Sequence, residues 1–207
     1  MEKKYHVIYI IESPSAKDLH SSHCEGYLLT AGLRLIDMPY EYHLTADALT
    51  FSSAIKKLKN VTQNKVPFLH ISAHGNENGI QLTDRTFIEW NKLKEILIPI
   101  NDAMNGRLCM SIASCSGFHA SKMAWNIHGK LPFGGLVGPT KEIPLADIAI
   151  GYIVFYHNFF IKNVPGFNAV EAMKVASKNK NFELILAQDA RNIWFGRMLK
   201  NISNLLQ

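Results

Sequence analysis

His74 and Cys115 are the two residues of this chain whose type and setting best suit chemistry. His74 lies in FLHISAHG and Cys115 in LCMSIASCSG, so each follows a short apolar run and stands beside or just before a glycine. A thiol attacks a carbonyl carbon as its thiolate, and a nearby imidazole can take the thiol proton and later return it to a leaving amine. Glycine lets the backbone come close to a bound group, which makes the N–H groups of Gly75 and Cys115 candidate donors to a developing oxyanion. A helix is expected from Phe118 or His119, and the positive end of its dipole would favour a thiolate at Cys115. On that reading Cys115 is expected to alkylate ahead of Cys24 and Cys109.

Two such residues act together only if the fold brings their strands side by side. The runs 6–11, 66–72, 107–113 and 133–138 are short, partly β-branched and closed by turn residues, as strands buried on both faces of a parallel sheet are. Helical patterns lie between them at 45–60, 88–100 and 119–129, with Thr45 or Asp47 as a cap for the first and Gly129 as a stop for the last. Two more helices are expected near 144–162 and 168–179, separated by NVPG. The segment 79–90 reads as a small hairpin around Thr83-Asp84-Arg85. Alternation of strand and helix predicts an α/β fold, a doubly wound and mainly parallel sheet with helices on both faces. In such a sheet ligands bind beyond the carboxyl ends of the strands, where His74 and Cys115 would emerge.

Composition narrows the function classes. The 207 residues are 47% hydrophobic and 19% charged, the pattern of one globular domain spanning 1–207 with a full core. The net charge of +5 comes from 22 basic and 17 acidic residues scattered along the chain. Only Lys56 to Lys59 form a basic cluster, at a spacing that suggests a solvated helix face, so no nucleic-acid partner is expected. The N-terminal apolar run meets Glu12 and Pro14 rather than a cleavage site and reads as a first strand. The run 146–161 carries Asp147, His157 and Asn158 and falls short of a membrane span. A cytoplasmic protein without membrane contact is the expectation. Three cysteines in unrelated contexts make no disulfide framework. HSSHC, with His20, His23 and Cys24, lacks a second ligand pair at zinc spacing, so neither metal nor cofactor is implied. His70 alternates with apolar neighbours and reads as a core residue or a support behind the site; Cys109 reads as packing.

The ordered set FLHISAHG, GIQLTD, LCMSIASCSG, GGLVGPTKEIPLADIAIGYIVFYHNFF and NAVEAMKVA resembles the CHAT family of caspase-like cysteine peptidases of clan CD. The likeness covers roughly residues 66–177, with His before Cys at a separation of 41 positions. It implies a caspase-like fold, His74 as general base, Cys115 as nucleophile, and Gly75 as an oxyanion donor beside the Cys115 amide. Gly117 follows Cys115 at two positions, one sooner than is common in CHAT proteins and as in caspases. Arg/Lys-specific relatives carry an acid two residues before the cysteine, where this chain has Ala113. Glu142 and Asp147 are then candidates to supply acid to a substrate pocket, and Trp194 to wall it.

The resemblance implies an endopeptidase acting on a protein or peptide substrate, under the control of a regulatory partner or upstream signal as in bacterial defence effectors, with a homodimer as a candidate assembly. The alternative is a catalytically silent caspase-like module that binds a peptide or partner in the same cleft. A flavodoxin-like ligand-binding domain fits less well, because ESPSAKD rather than a Gly-rich phosphate loop follows the first strand.

Overall fold

The computed structural model describes residues 7–62 and 65–205. His6, the start of the expected first strand, lies outside the described residues. The chain runs β1 (Val7–Ser13), α1 (Ala16–His20), α2 (Glu25–Leu35), β2 (Tyr40–Leu44), α3 (Ala48–Val61), β3 (Pro67–Asn76), β4 (Gly79–Gln81), β5 (Phe87–Glu89), α4 (Trp90–Ala103) and β6 (Cys109–Ala113). A 3₁₀ segment, Gly117–Ala124, follows, then β7 (Gly135–Pro139), α5 (Leu145–Tyr156) with a π turn at His157–Ile161, α6 (Gly166–Ser177), β8 (Phe182–Leu186) and α7 (Ala187–Leu205).

These strands build one mixed sheet in the order β2-β1-β3-β6-β7-β8, with β4 and β5 as a hairpin on the end of β3. The first five of that order pair in parallel, and β8 joins β7 antiparallel. The apolar strand runs are continuous because both faces are covered. Tyr9 and Ile11 enter one core cluster with α3, α4 and the 3₁₀ segment, whereas Ile8 and Ile10 enter another with α2, α5 and α6.

Local chemistry explains several boundaries. Asp47, not Thr45, caps α3: its carboxylate accepts the Thr50 N–H at 2.8 Å, and the Thr50 hydroxyl oxygen accepts the Asp47 N–H in return. Lys56, Lys57 and Lys59 lie on the exposed face of that helix, with Leu58 buried between them. The hairpin expected over 79–90 is present as β4 and β5 in antiparallel register.

Three expectations need correction. The segment 119–129 is not an α-helix; after Cys115 the chain passes through Ser116 at φ 58° and winds as a 3₁₀ segment that ends at Ala124. Gly129, at φ 111°, lies in the loop beyond it and stops nothing. The expected helix over 144–162 is an α-helix only to Tyr156. Two strands and three helices escaped the sequence reading, namely β2, β8, α1, α2 and α7. β2 is half-buried along most of its length, so its sequence YEYHL carries no apolar run.

Candidate functional site

β1 leads outward to β2 on one side, and β3 leads to β6 and β7 on the other, so the order reverses between β1 and β3. A crevice opens at such a reversal, beyond the carboxyl ends of the strands. Here it is a cavity of about 340 Å³. Its lining includes Glu12 from β1, His74 from β3, Ala113 to Cys115 from the end of β6, and Glu142 to Leu145 from the loop after β7.

β3 and β6 are parallel neighbours from Phe68↔Cys109 to Ser72↔Ala113. β3 outruns its partner and continues as the hairpin strand, with His74 opposite Gln81 and Gly75 opposite Ile80. His74 is thus carried at the rim on a hydrogen-bonded strand, and it does not end the strand as the sequence suggested. Cys115 sits in the turn that closes β6, where the Gly117 N–H donates to Ser114 O at 3.0 Å and the Ser116 N–H to Lys141 O at 3.2 Å. A side chain at Gly117 would place its Cβ 2.4 Å from Ile112 O, so this turn requires glycine.

The partner of His74 is Asp18, in the first turn of the short helix α1, which the sequence reading did not find. His74 Nε2 lies 2.6 Å from Asp18 Oδ2. The Ser15 hydroxyl donates to the same carboxylate, and together with His74 it holds the Asp18 carboxyl below its ordinary range despite some burial. An ionised carboxylate accepts and does not donate, so Nε2 carries the hydrogen and a neutral ring keeps its lone pair on Nδ1. Among the described residues no hydrogen bond joins His74 to Cys115, although both line the cavity.

Burial pushes the Cys115 thiol above its ordinary value, and Glu142 adds to the rise; the amides of Ile143 and of Cys115 itself pull the other way without cancelling it. The expected helix-dipole activation fails, because the segment after Cys115 is a 3₁₀ turn entered through a left-handed residue. Cys24 is buried where Cys115 is only partly so, and its thiol too is raised, by burial, Glu12 and Asp18. Iodoacetamide at about pH 6.5, where an unperturbed thiol is roughly 1% thiolate, is therefore expected to label Cys115 no faster than a free cysteine. The rate should climb with pH, with a midpoint above that of an ordinary thiol. Peptide mapping across a pH series checks both points, and fast labelling near pH 6.5 would contradict them.

The other residues singled out from sequence divide. Glu142 lines the cavity. Asp147 does not; its carboxylate accepts from Asn179 Nδ2 at 2.9 Å, on the α6 to β8 connection. Trp194 lines a different cavity, with Trp90, Trp125, Phe87 and Lys122, and walls nothing near Cys115. Trp125, on the wall of that second cavity, is exposed. Gly75 is not among the lining residues. A Cβ there would come within 2.8 Å of Gly79 O and 2.9 Å of Ser114 Oγ, so Gly75 lets the hairpin pack against the cysteine turn.

His70 proves to be a buried support. Its Nε2 lies 3.0 Å from Glu25 Oε2, and its Nδ1 is 2.8 Å from both Ser111 Oγ and Tyr156 Oη. Beside it Glu12 is buried, and burial raises its carboxyl despite the Tyr42 hydroxyl and the Gly26 and Tyr27 amides that donate to it. Glu12, Asp18, His23 and Glu25 are the titratable lining residues that sequence reasoning missed as site residues. The signal available was the run of acids and histidines over 12–25, which has meaning only once α1 and α2 fold back over the end of β1. Among the described residues no three His, Cys, Asp or Glu side chains are grouped to hold a metal ion, and no helix is long and apolar enough to cross a membrane. No protein-family model matches the sequence, and no curated protein shows significant similarity to it.

Proposed function

We propose that this chain is a cysteine endopeptidase on a doubly wound, caspase-like fold. The observation that carries the reading is that His74 and Cys115 line one cavity, just beyond the last parallel pairing of β3 with β6, with the imidazole held by Asp18. In the proposed reaction the Cys115 proton passes to His74 Nδ1, and the sulfur adds to the carbonyl carbon of the scissile bond. The C–N bond then breaks, the amine leaves with the proton from His74, and water hydrolyses the thioester. Asp18 keeps Nε2 protonated and the ring oriented, as the carboxylate of a catalytic triad does. The Ile143 and Cys115 amides, already directed at the sulfur, are candidate donors to the oxyanion.

The raised thiol and the missing His74–Cys115 hydrogen bond favour a second reading, a cleft that binds without cutting or cuts only after a partner or substrate closes it. Apo contacts of this kind often tighten only in the substrate complex. Peptidyl acyloxymethyl ketones, which react with an assembled cysteine nucleophile, separate the two. The peptidase reading expects a covalent adduct on Cys115 that His74→Ala suppresses. No adduct from any peptide sequence, with peptide binding retained, would favour the silent cleft.

A further inference from the structure

The segment ESPSAKD stands where a phosphate loop would follow the first strand, and the proposed reaction uses only its Asp18. Asp18 belongs to α1, a helix of five residues with no buried side chain. No core packing therefore holds α1. The side chains of His74 and Asp18 are 55% and 27% exposed. An ion pair so open to water fixes little by itself, because each side chain has other rotamers and solvent competes for both.

The hydroxyl of Ser15 closes that gap. It donates to Asp18 Oδ2 at 2.5 Å, and the same oxygen faces His74 Nε2 at 2.6 Å. Ser15 Oγ also accepts the Asp18 N–H at 3.1 Å, which caps α1. One atom thus grips both the backbone and the carboxylate of Asp18. The turn that carries Ser15 is tied in its own right to the His74 side of the cavity. The Thr83 N–H donates to Ser13 Oγ at 3.0 Å and the Thr83 hydroxyl to Pro14 O at 2.6 Å. Thr83 lies in the turn of the β4–β5 hairpin, and β4 pairs with the end of β3 that carries His74. We propose that Ser15 is a positioning residue of this site: by donating to Oδ2 it holds the Asp18 carboxylate in the rotamer that meets Nε2, and through Asp18 it holds the His74 ring. Ser15 acts through Asp18 and not on the reacting atoms. The inference rests on the peptidase reading for its effect on rate, and on the hydrogen bonds alone for its effect on the two side chains.

A serine that only starts a helix can be exchanged for aspartate, which caps as well. Ionised aspartate donates nothing, so it cannot take over the bond to Oδ2. Threonine supplies both functions. The test compares Ser15→Ala, Ser15→Asp and Ser15→Thr in the full chain, by NMR three-bond couplings about the Cα–Cβ bonds of Asp18 and His74, with the amide shifts of the sheet as a check on folding. Wild type and Ser15→Thr should each show one rotamer at both residues, and Ser15→Ala and Ser15→Asp should show averaged couplings. With a cleaved peptide, Ser15→Ala and Ser15→Asp should lose about 10-fold in kcat with KM little changed, and Ser15→Thr less than about twofold. Single rotamers in Ser15→Asp would overturn the proposal and leave Ser15 a helix cap. Wild-type couplings in Ser15→Ala, or averaged couplings without loss of rate in an active enzyme, would overturn it too. Averaged couplings in Ser15→Ala and Ser15→Asp alone, with no cleavage by any of the proteins, wild type included, would uphold the positioning and count against the peptidase reading.

Discussion

Replacing Cys115 by Ala is expected to reduce peptide hydrolysis to the uncatalysed background, a loss of about 10⁴-fold or more in kcat, because the covalent step then has no nucleophile. His74→Ala should cost nearly as much. The two losses should not add, since the residues act on one proton. Asp18→Asn is the more informative variant. An amide can donate to Nε2 and so stabilise the wrong tautomer, with the proton on Nδ1 and no lone pair left for the thiol. The expected fall is about 10²- to 10⁴-fold in kcat, with KM little changed. The pH profile follows from the thiol. Because burial holds the Cys115 proton on, the rate should keep rising into the alkaline range. Asp18 is held below the ordinary carboxylate range, so its support should persist down to acidic pH and fail only as the pH falls through its lowered value. Substrate cleavage by the three variants across a pH series checks these outcomes. Full activity in the Cys115→Ala protein, free of contaminating protease, would show that the activity belongs elsewhere than Cys115.

The largest stability effect is expected at His70. Its side chain is 0% exposed and that of Glu25 1%, with His70 Nε2 and Glu25 Oε2 3.0 Å apart. His70→Leu keeps the volume but leaves the buried Glu25 with neither oxygen partnered among the described residues. Stranding one member of a buried pair costs about 3–5 kcal/mol, far more than the pair contributes net. Ser111 and Tyr156 lose a shared partner as well, although they keep their own hydrogen bond at 2.7 Å. Urea denaturation should therefore show a much lower midpoint with an unchanged slope. The double variant His70→Leu, Glu25→Leu should recover more than half of the loss, because no charge is then left buried. A small effect for His70→Leu alone would mean that Glu25 finds water or another donor in the cavity.

What the sequence determined by itself was whatever local pattern encodes. Strands buried on both faces, such as β3 and β6, must be continuous apolar runs, and they were legible for that reason. So was the β4–β5 hairpin, whose turn residues lie next to one another in the chain. Those elements carried His74 and Cys115 to the same rim of the sheet, on the neighbouring strands β3 and β6. The half-buried β2 carries no such run, and it was not seen. The eight-residue segment after Cys115 has the spacing of a helix but enters through Ser116 in a left-handed conformation, and packing decides that it stays 3₁₀.

The rest of the site belonged to tertiary structure. Asp18 lies 56 residues from the imidazole it holds, and Glu25 lies 45 from His70. Nothing local marks either as a partner, since their roles exist only once α1 and α2 close over the reversal point between β1 and β3. The same distance in sequence misled the choice of pocket residues. Asp147 and Trp194 are plausible by type, but the fold turns one towards Asn179 and the other into a separate cavity, whereas Glu142, on the loop beside Cys115, stays. The protonation of Cys115 was decided there too, because desolvation by the closed fold outweighs any help from the chain that follows it.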